Sequence, residues 1–517
     1  MGGMMFLWDS DKKRLSFGGI LLLLFLLLTL INCTILSNPP YWDEIVGVHN
    51  QALYLAKHHF DIVSLFQEKQ NYLFGGSGIY RIGIVPWIYA LFYFFLPPVG
   101  AHIAGHLLNI FCIALAGTFL WVLLRKICRE GIAFSWVLIA LSEPLIAGRM
   151  AAQDHDTVLL LVVMWSFYCF LTGRTKGALL LAVICGFVKM TGVILLLAYS
   201  AYFSYECACR IREKKVFSRA GNTALLALGF TIFIYVLYYL SSTTIDGVYD
   251  GSLYSFGWGE VRFHIYYYYP YLTLWLIFCL GAFAFRFFRD SVFRKDNGKF
   301  LAIGVFLVGY FAAYFLAPYP KLPRYTCITI FPLFLIAGNL FLLQRERLQL
   351  ALMLAVFLFN LGNSYGRAFP RFPDERYQIA CYNERSREFL YGIELDKTLA
   401  ALLEKEAADR LIVCKWPYVQ ILGVPEFGYV KKALPHLRVV GNSVQYAPTS
   451  RQFDPDEITL ETLFLYSPRG FEFFHRPRFN VPLGAEVNYL EFKETPRMGA
   501  ILYSHCRLIQ PVTMPKK

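Results

Sequence analysis

The chain has 517 residues, of which 57% are hydrophobic, 17% aromatic and only 16% charged, and its mean hydropathy is +0.46. Soluble folds do not need so many apolar runs of membrane-spanning length, so the composition predicts a multi-spanning helical membrane protein. The formal net charge of +13 is scattered over short loops. That distribution suits contact with anionic lipid headgroups and argues against nucleic acid as a partner.

The first apolar run covers residues 17–36 and follows Lys12, Lys13 and Arg14. It is too long for a signal-peptide core and lacks a small-x-small cleavage site, so we interpret it as an uncleaved first span. Because basic loops remain in the cytoplasm, the N-terminus is expected inside and the long loop of residues 37–81 outside. A long ordered loop beside a membrane is more often functional than not.

The positive-inside rule decides two ambiguous segments. Residues 83–96 are apolar but short, and an interfacial or re-entrant helix there keeps the basic loop at 125–129 inside. Residues 177–205 are too long for one upright helix, and a hairpin of two short helices keeps the basic cluster at 210–219 inside, with Lys189 near the outer face. A single tilted crossing would place that cluster outside. About eleven transmembrane helices result, the nine outside the hairpin covering residues 17–36, 103–124, 132–147, 158–171, 223–240, 266–285, 300–316, 326–343 and 348–362.

After residue 365 the composition becomes that of a soluble domain, with frequent Pro, Arg and Glu. We therefore divide the chain into a transmembrane domain, residues 1–365, and an extracytoplasmic α/β domain, residues 366–517. Residues 395–409 have the pattern of an amphipathic helix. Short strands are predicted at residues 411–415, 437–440, 463–466, 489–492 and 500–503.

Cysteine and histidine spacings give no strong metal signal, since the 12 cysteines form no CxxC or CxxH pattern. Cys381, Cys414 and Cys506 would lie in an oxidising compartment, where one pair is a candidate disulfide and the third is left over. His102 and His106 are one helical turn apart, a spacing that can bind zinc. With no third ligand nearby, packing or interface roles are favoured.

Charged side chains from four separate segments converge on the outer membrane face in this topology. A carboxylate can take or orient the proton of an attacking hydroxyl, and Arg and Lys can hold a departing phosphate. In a partly dry cavity this combination suits an enzyme that acts on a lipid phosphate carrying a sugar. The residues are Asp43 and Glu44, then Arg149, Asp154 and Asp156, then Lys189, and finally Lys321 and Arg324.

The order of these motifs resembles the GT-C glycosyltransferases, and within them the protein O-mannosyltransferase and aminoarabinose (lipid A) transferase group, glycosyltransferase families 39 and 83. The resemblance covers residues 10–360. It implies an inverting transfer of sugar from a polyprenyl-phosphate donor at the outer face. The motifs are the external Asp43-Glu44, Arg149-x-x-x-x-Asp154, Lys189-x-x-Gly192 and Lys321-Leu322-Pro323-Arg324-Tyr325.

The resemblance also implies roles for single residues. The chain departs from the family pattern at two places. Arg81-Ile82-Gly83 stands where the family usually has a basic residue followed by Pro. The second loop contains two aspartates where the family usually has one. No cofactor is expected; a divalent metal at the two aspartates is a less favoured alternative, because two carboxylates alone make a poor site. The implied roles are Asp43, Glu44, Asp154 and Asp156 in catalysis, Arg149, Lys189, Lys321 and Arg324 on the donor phosphate, and Trp42 and Tyr325 lining the substrate.

The partners implied are a polyprenyl-phosphate sugar donor, the lipid bilayer, and an acceptor glycan, lipid or protein. No gap in the chain is long enough for the β-trefoil insert of eukaryotic relatives, which points to a multi-pass enzyme of a bacterial inner membrane. A transporter or flippase for a lipid-linked sugar is the alternative. It should show internal repeats and mid-membrane ionisable groups, and no repeat is evident. Which sugar and which acceptor are used stays open.

Overall fold

The computed structural model describes residues 16–41, 44–61, 63, 83–212, 219–241, 270–291, 293, 297–316, 323–340, 346–365, 386–406, 408–414, 418–439, 451–452, 463–466, 487–494 and 502–509. The predictions on Trp42, Asp43, Lys321 and Cys381 lie outside these residues. Within them the chain is largely helical. The α-helices are α1 (Phe17–Ile31), α2 (Asn50–Lys57), α3 (Ile84–Phe95), α4 (Pro98–Leu124), α5 (Glu130–Ser142), α6 (Pro144–Met150), α7 (His155–Leu171), α8 (Thr175–Val188), α9 (Val193–Arg212), α10 (Arg219–Ser241), α11 (Pro270–Arg289), α12 (Phe300–Leu316), α13 (Ile330–Leu340), α14 (Glu346–Tyr365), α15 (Leu390–Glu406) and α16 (Tyr418–Gly423).

Several of these helices have the length and composition of membrane spans. In the described part of the chain four segments qualify, and the bent pair of α5 and α6 brings the number to five. Shorter apolar helices such as α1, α7 and α8 accompany them. These helices confirm the prediction of a helical membrane protein with several apolar spans, while the number eleven stays a prediction. The four segments are Pro98–Leu124, Met190–Arg212, Arg219–Leu237 and Arg347–Tyr365.

The predicted span over residues 132–147 corresponds to two helices, α5 and α6, because the helix breaks at Glu143. Helices α5 and α6 meet there at an angle of 68°. Pro144 has no N–H to continue the hydrogen-bond ladder and favours an extended residue before it. The Glu143 carboxylate accepts hydrogen bonds from the N–H groups of Leu145 (2.8 Å) and Ile146 (3.3 Å). The carboxylate therefore caps a new helix, α6.

Helices α8 and α9 form the predicted hairpin. The Ser166 hydroxyl of α7 donates to the carbonyl oxygen of Ala178 at 2.8 Å and lies 2.8 Å from the Tyr199 hydroxyl. Ala178 is in the first turn of α8 and Tyr199 in the second turn of α9, so the two helices run antiparallel with Lys189 at the turn between them. A Cβ atom on Gly192 would overlap the backbone of α8, so this tight turn needs glycine.

The C-terminal part contains a six-stranded mixed sheet with the order β3-β2-β1-β4-β6-β5. Strand β1 pairs in parallel with β2 and β4, and β6 pairs antiparallel with β4 and β5. Each predicted strand overlaps an observed one, and β3 is additional. Cys414 is a buried free thiol, so the candidate disulfide does not include it. The strands are β1 (Ile412–Cys414), β2 (Leu437–Val439), β3 (Arg451–Gln452), β4 (Leu463–Tyr466), β5 (Val487–Glu494) and β6 (Leu502–Ile509).

The first loop and the C-terminal part share one hydrophobic core. Ile45, from the loop after α1, is fully buried in the same cluster as Leu399 and Leu437. The Tyr429 hydroxyl donates to the carbonyl oxygen of Pro40 at 2.9 Å. These contacts hold the stretch that carries the predicted carboxylates against the C-terminal part of the chain.

Candidate active site

The loop between α6 and α7 is organised by Asp154. Its Oδ1 accepts the N–H of Asp156 at 2.9 Å and caps α7, while its Oδ2 accepts a hydrogen bond from Nη1 of Arg149. Burial raises the pKa of the Asp154 carboxyl, but the charges of Arg149, Arg324 and Lys189 outweigh burial and hold that pKa below its ordinary value. Asp154 is therefore an ionised carboxylate at neutral pH, and both of its oxygens have protein partners.

The second aspartate of this loop faces the tip of the helix hairpin. The Nζ atom of Lys189 donates to Oδ1 of Asp156 at 2.6 Å, and the Asp156 side chain is 2% exposed. The same Nζ atom lies 4.5 Å from the ring centroid of Tyr325, a cation–π contact. Of the two carboxylate oxygens of Asp156, Oδ1 is the one with a hydrogen-bond partner among the described residues. The Asp156 carboxylate therefore accepts fewer hydrogen bonds from described residues than the Asp154 carboxylate does.

Arg324 and Tyr325 begin the 3₁₀ helix Pro323–Thr329 that leads into α13. Arg324 is buried, its Nη2 donates to the Tyr325 hydroxyl at 3.3 Å, and its guanidinium carbon lies 5.0 Å from the Tyr325 ring. The hydroxyl of Tyr310 on α12 donates to the Tyr325 carbonyl oxygen at 2.7 Å. The Tyr325 ring is consequently contacted by two cations, one from the hairpin tip and one from its own segment.

Glu44 lies at the start of the π-helix Ile45–His49. Its Oε2 accepts the N–H of Tyr41 at 2.9 Å, and its own N–H donates to the Tyr41 carbonyl oxygen at 2.8 Å. This reciprocal pair of hydrogen bonds fixes Glu44 relative to Tyr41. A Cβ atom on Gly47 would lie 3.9 Å from the His155 ring, so the helix after Glu44 passes next to the second loop.

Asn109, which the sequence analysis did not single out, forms hydrogen bonds to both ends of the second loop. Asn109, inside the apolar run of α4, donates through Nδ2 to the carbonyl oxygen of Ala152. Its Oδ1 accepts from Thr157 at 2.6 Å and from the Tyr89 hydroxyl at 3.4 Å. A lone asparagine in a membrane-spanning run is itself a signal, because a polar group there needs partners.

No three His, Cys, Asp or Glu side chains in the described ranges are placed to share a metal ion. The two aspartates of the second loop each face a cation instead. His102 donates through Nε2 to the Glu426 carbonyl oxygen at 3.1 Å, and His106 to the Asn38 carbonyl oxygen at 3.2 Å. These contacts favour the interface role for both histidines.

The site therefore joins three of the four predicted segments within described residues, and the fourth through Glu44. Arg149, Asp154 and Asp156 are almost fully buried, as is Arg324, and Lys189 has 14% of its side chain exposed. Among the described residues of this group, Arg149, Lys189 and Arg324 supply three cations. The carboxylates are Glu44, Asp154 and Asp156. Cations held in place in a buried site can stabilise an anionic ligand.

No protein-family profile matches this chain, and no curated protein matches it. Two solved structures align along nearly its whole length: ArnT from Cupriavidus metallidurans bound to undecaprenyl phosphate, with a TM-score of 0.49, 12% identity and coverage of 94% of this chain and 97% of that chain, and the same protein in the apo state, with a TM-score of 0.49, 14% identity and coverage of 95% and 98%. ArnT is a GT-C aminoarabinose transferase, the group that the sequence motifs resemble. At this identity and TM-score the likeness concerns the course of the chain, and function is argued from the contacts of the site itself.

Proposed function

We propose that this protein is an inverting glycosyltransferase that moves a sugar from a polyprenyl-phosphate donor to an acceptor hydroxyl or phosphate at the outer face of a bacterial inner membrane. The observation that carries the proposal is that Lys189 and Arg324 both contact the Tyr325 ring, next to the buried Asp156 of the second loop. The motif order, which resembles GT-C enzymes, supports it. The acceptor is an envelope lipid such as lipid A, another glycan or a protein.

In the proposed reaction the acceptor oxygen attacks the anomeric carbon from the face opposite the phosphate. The bond between that carbon and the phosphate oxygen breaks, and its electron pair leaves on polyprenyl phosphate. The proton of an acceptor hydroxyl passes to a carboxylate. By resemblance we assign that role to Asp43, with Glu44 holding the turn beside it.

The departing phosphate gains negative charge, and preorganised cations stabilise it most in a dry site. We assign this contact to Lys189 and Arg324, whose positive groups both lie beside the Tyr325 ring, and to Lys321 by resemblance. Arg149 is fully buried and bonded to Asp154. Its proposed role is therefore to hold the second loop in place, without direct contact with phosphate.

The Lys189–Asp156 pair has a place in this scheme. A phosphate that enters beside Lys189 supplies a second anion to the ammonium group, so the pair can loosen without leaving Lys189 uncompensated. Asp156, once released, is the second candidate to orient the acceptor. Trp42 and Tyr325 are proposed to line the sugar-binding space.

The test is transfer by purified protein in detergent, where transport across a membrane has no meaning. Undecaprenyl-phosphate aminoarabinose and undecaprenyl-phosphate mannose are offered as donors with lipid A as acceptor, and release of undecaprenyl phosphate is measured. Turnover that is lost in Lys189→Met and kept in Lys126→Met supports the proposal, because Lys126 is an exposed cation outside the site. Donor binding without turnover, together with uptake of the donor by proteoliposomes, would favour the transporter.

A further inference from the structure

The residues from Ser386 to Phe389, called here the 386–389 segment, lie against the end of α6. A Cβ atom on Gly148 would lie 2.9 Å from the Ser386 carbonyl oxygen, so the two backbones approach as closely as glycine allows. Arg387 donates through Nη1 to Oδ1 of Asn32 at 2.5 Å. The segment is therefore fixed to both α6 and the end of α1.

Phe389, the last residue of this segment, contacts two parts of the candidate site at once. Its ring centroid lies 5.5 Å from that of Tyr41, at an interplanar angle of 38°. The guanidinium carbon of Arg149 lies 5.8 Å from the centroid of the same Phe389 ring. All three residues are fully buried. Desolvation strengthens a cation–π contact, and this one lies near the outer limit of the usual distance.

Both contacts lead directly to candidate catalytic groups. The Tyr41 N–H donates to the Glu44 carboxylate, and the Glu44 N–H donates to the Tyr41 carbonyl oxygen. Arg149 holds the carboxylate of Asp154. A single buried ring thus contacts both the first loop, through Tyr41, and the Arg149–Asp154 pair.

We propose that Phe389 is a positioning residue of the active site, which fixes Tyr41 and Glu44 of the first loop relative to the Arg149–Asp154 pair. The proposal rests on the proposed function. It also assigns part of the active site to the chain beyond residue 360, where the sequence resemblance ends. The soluble part after α14 would then be required for the chemical step and not only for stability or for recruitment of the acceptor.

Phe389→Leu tests this proposal, because it keeps an apolar side chain and removes the ring. Phe389→Tyr keeps the ring, and Phe283→Leu on α11 is the matched control, since Phe283 is also buried but lies in a different aromatic cluster. We expect kcat to fall about tenfold or more in Phe389→Leu, with the KM for donor changed by less than about threefold, because misplaced groups slow the chemistry more than donor binding. Phe389→Tyr should recover most of kcat, and the control should keep it.

Hydrogen–deuterium exchange gives a readout that does not depend on activity. Peptides covering residues 38–44 and 148–156 should both exchange faster in Phe389→Leu than in the wild type, and neither should change in Phe283→Leu. Unchanged exchange and unchanged kcat in Phe389→Leu would overturn the proposal. So would loss of the folded protein in both Phe389 variants, which would show a purely structural role. If the wild type transfers no sugar from either donor, the proposed function fails, and exchange alone still decides whether Phe389 couples the two loops.

Discussion

Lys189 and Asp156 form a buried ion pair 2.6 Å long that joins the tip of the α8–α9 hairpin to the first turn of α7. The pair lies beside Tyr325, so three separate segments of the chain meet at one ammonium group. None of these segments is adjacent to another in sequence.

We predict that breaking this pair on one side destabilises the protein more than removing both partners. Lys189→Met or Asp156→Asn alone leaves one buried group without its compensating charge, at a cost of about 3–5 kcal/mol. The double variant should lose clearly less than the sum of the two. Thermal unfolding in detergent, followed by tryptophan fluorescence, measures the cycle. Strictly additive losses would show that the two side chains do not interact.

Arg324→Lys should lower catalytic efficiency although the charge is kept. A guanidinium can donate two parallel hydrogen bonds to phosphate oxygens, whereas an ammonium acts as a point charge. Losing one charged hydrogen bond costs about 1.5–3 kcal/mol, or about 10- to 150-fold in kcat/KM, and Arg324→Ala should lose at least as much. Transfer rates are measured against donor concentration. A Lys variant with unchanged efficiency would reduce Arg324 to an anchor among lipid headgroups.

Asp43→Asn should lower transfer by about a hundredfold or more while leaving folding and membrane insertion intact, because the amide keeps the shape and removes the base. Glu44→Gln is the matched control, since its amide oxygen can still accept the Tyr41 N–H and keep the turn closed. Turnover and melting temperature are compared for both variants. If Asp43→Asn turns over normally, the base lies elsewhere, and Asp154 and Asp156 become the next positions to replace.

The topology itself is open to a direct labelling experiment. Single cysteines at Ser77, Ser252 and Ser450 should react with an impermeant thiol reagent from outside the cell, and a cysteine at Ser218 should not. The parent protein carries serine at the exposed Cys33 and Cys209, and at Cys381 and Cys506, which are predicted to lie outside, so that background labelling stays low.

Permeabilised cells supply the control, because Ser218→Cys must become reactive once the reagent can enter. External labelling of that variant in intact cells would mean that residues 177–205 cross the membrane once. An antiparallel hairpin returns the chain to the side from which it entered, so a single crossing would contradict the hairpin between Ala178 and Tyr199. The shared outer face of the site would then be lost.

Local sequence determined most of the helical architecture and the position of the short strands. The free energy of transfer into lipid is a sum over the residues of an apolar run. Helices α4, α12 and α14 could therefore be predicted without knowledge of their neighbours. The hairpin at Lys189 followed from the length of one run and the sign of the loop charges after it. Pro144 was a local signal for the break at Glu143. That the Glu143 carboxylate caps the new helix could be seen only in the folded chain.

The pairing of the site residues was decided by tertiary structure alone. The topology predicted from the sequence places the charged residues of the second loop and Lys189 at one face of the membrane. It does not predict which of them pair, namely Arg149 with Asp154 and Lys189 with Asp156. Ion pairing depends on distances of a few ångström between helices, and hydropathy is insensitive to them. For the same reason no pattern in the chain indicated that Phe389, which follows the last apolar helix, would lie between the first loop and Arg149.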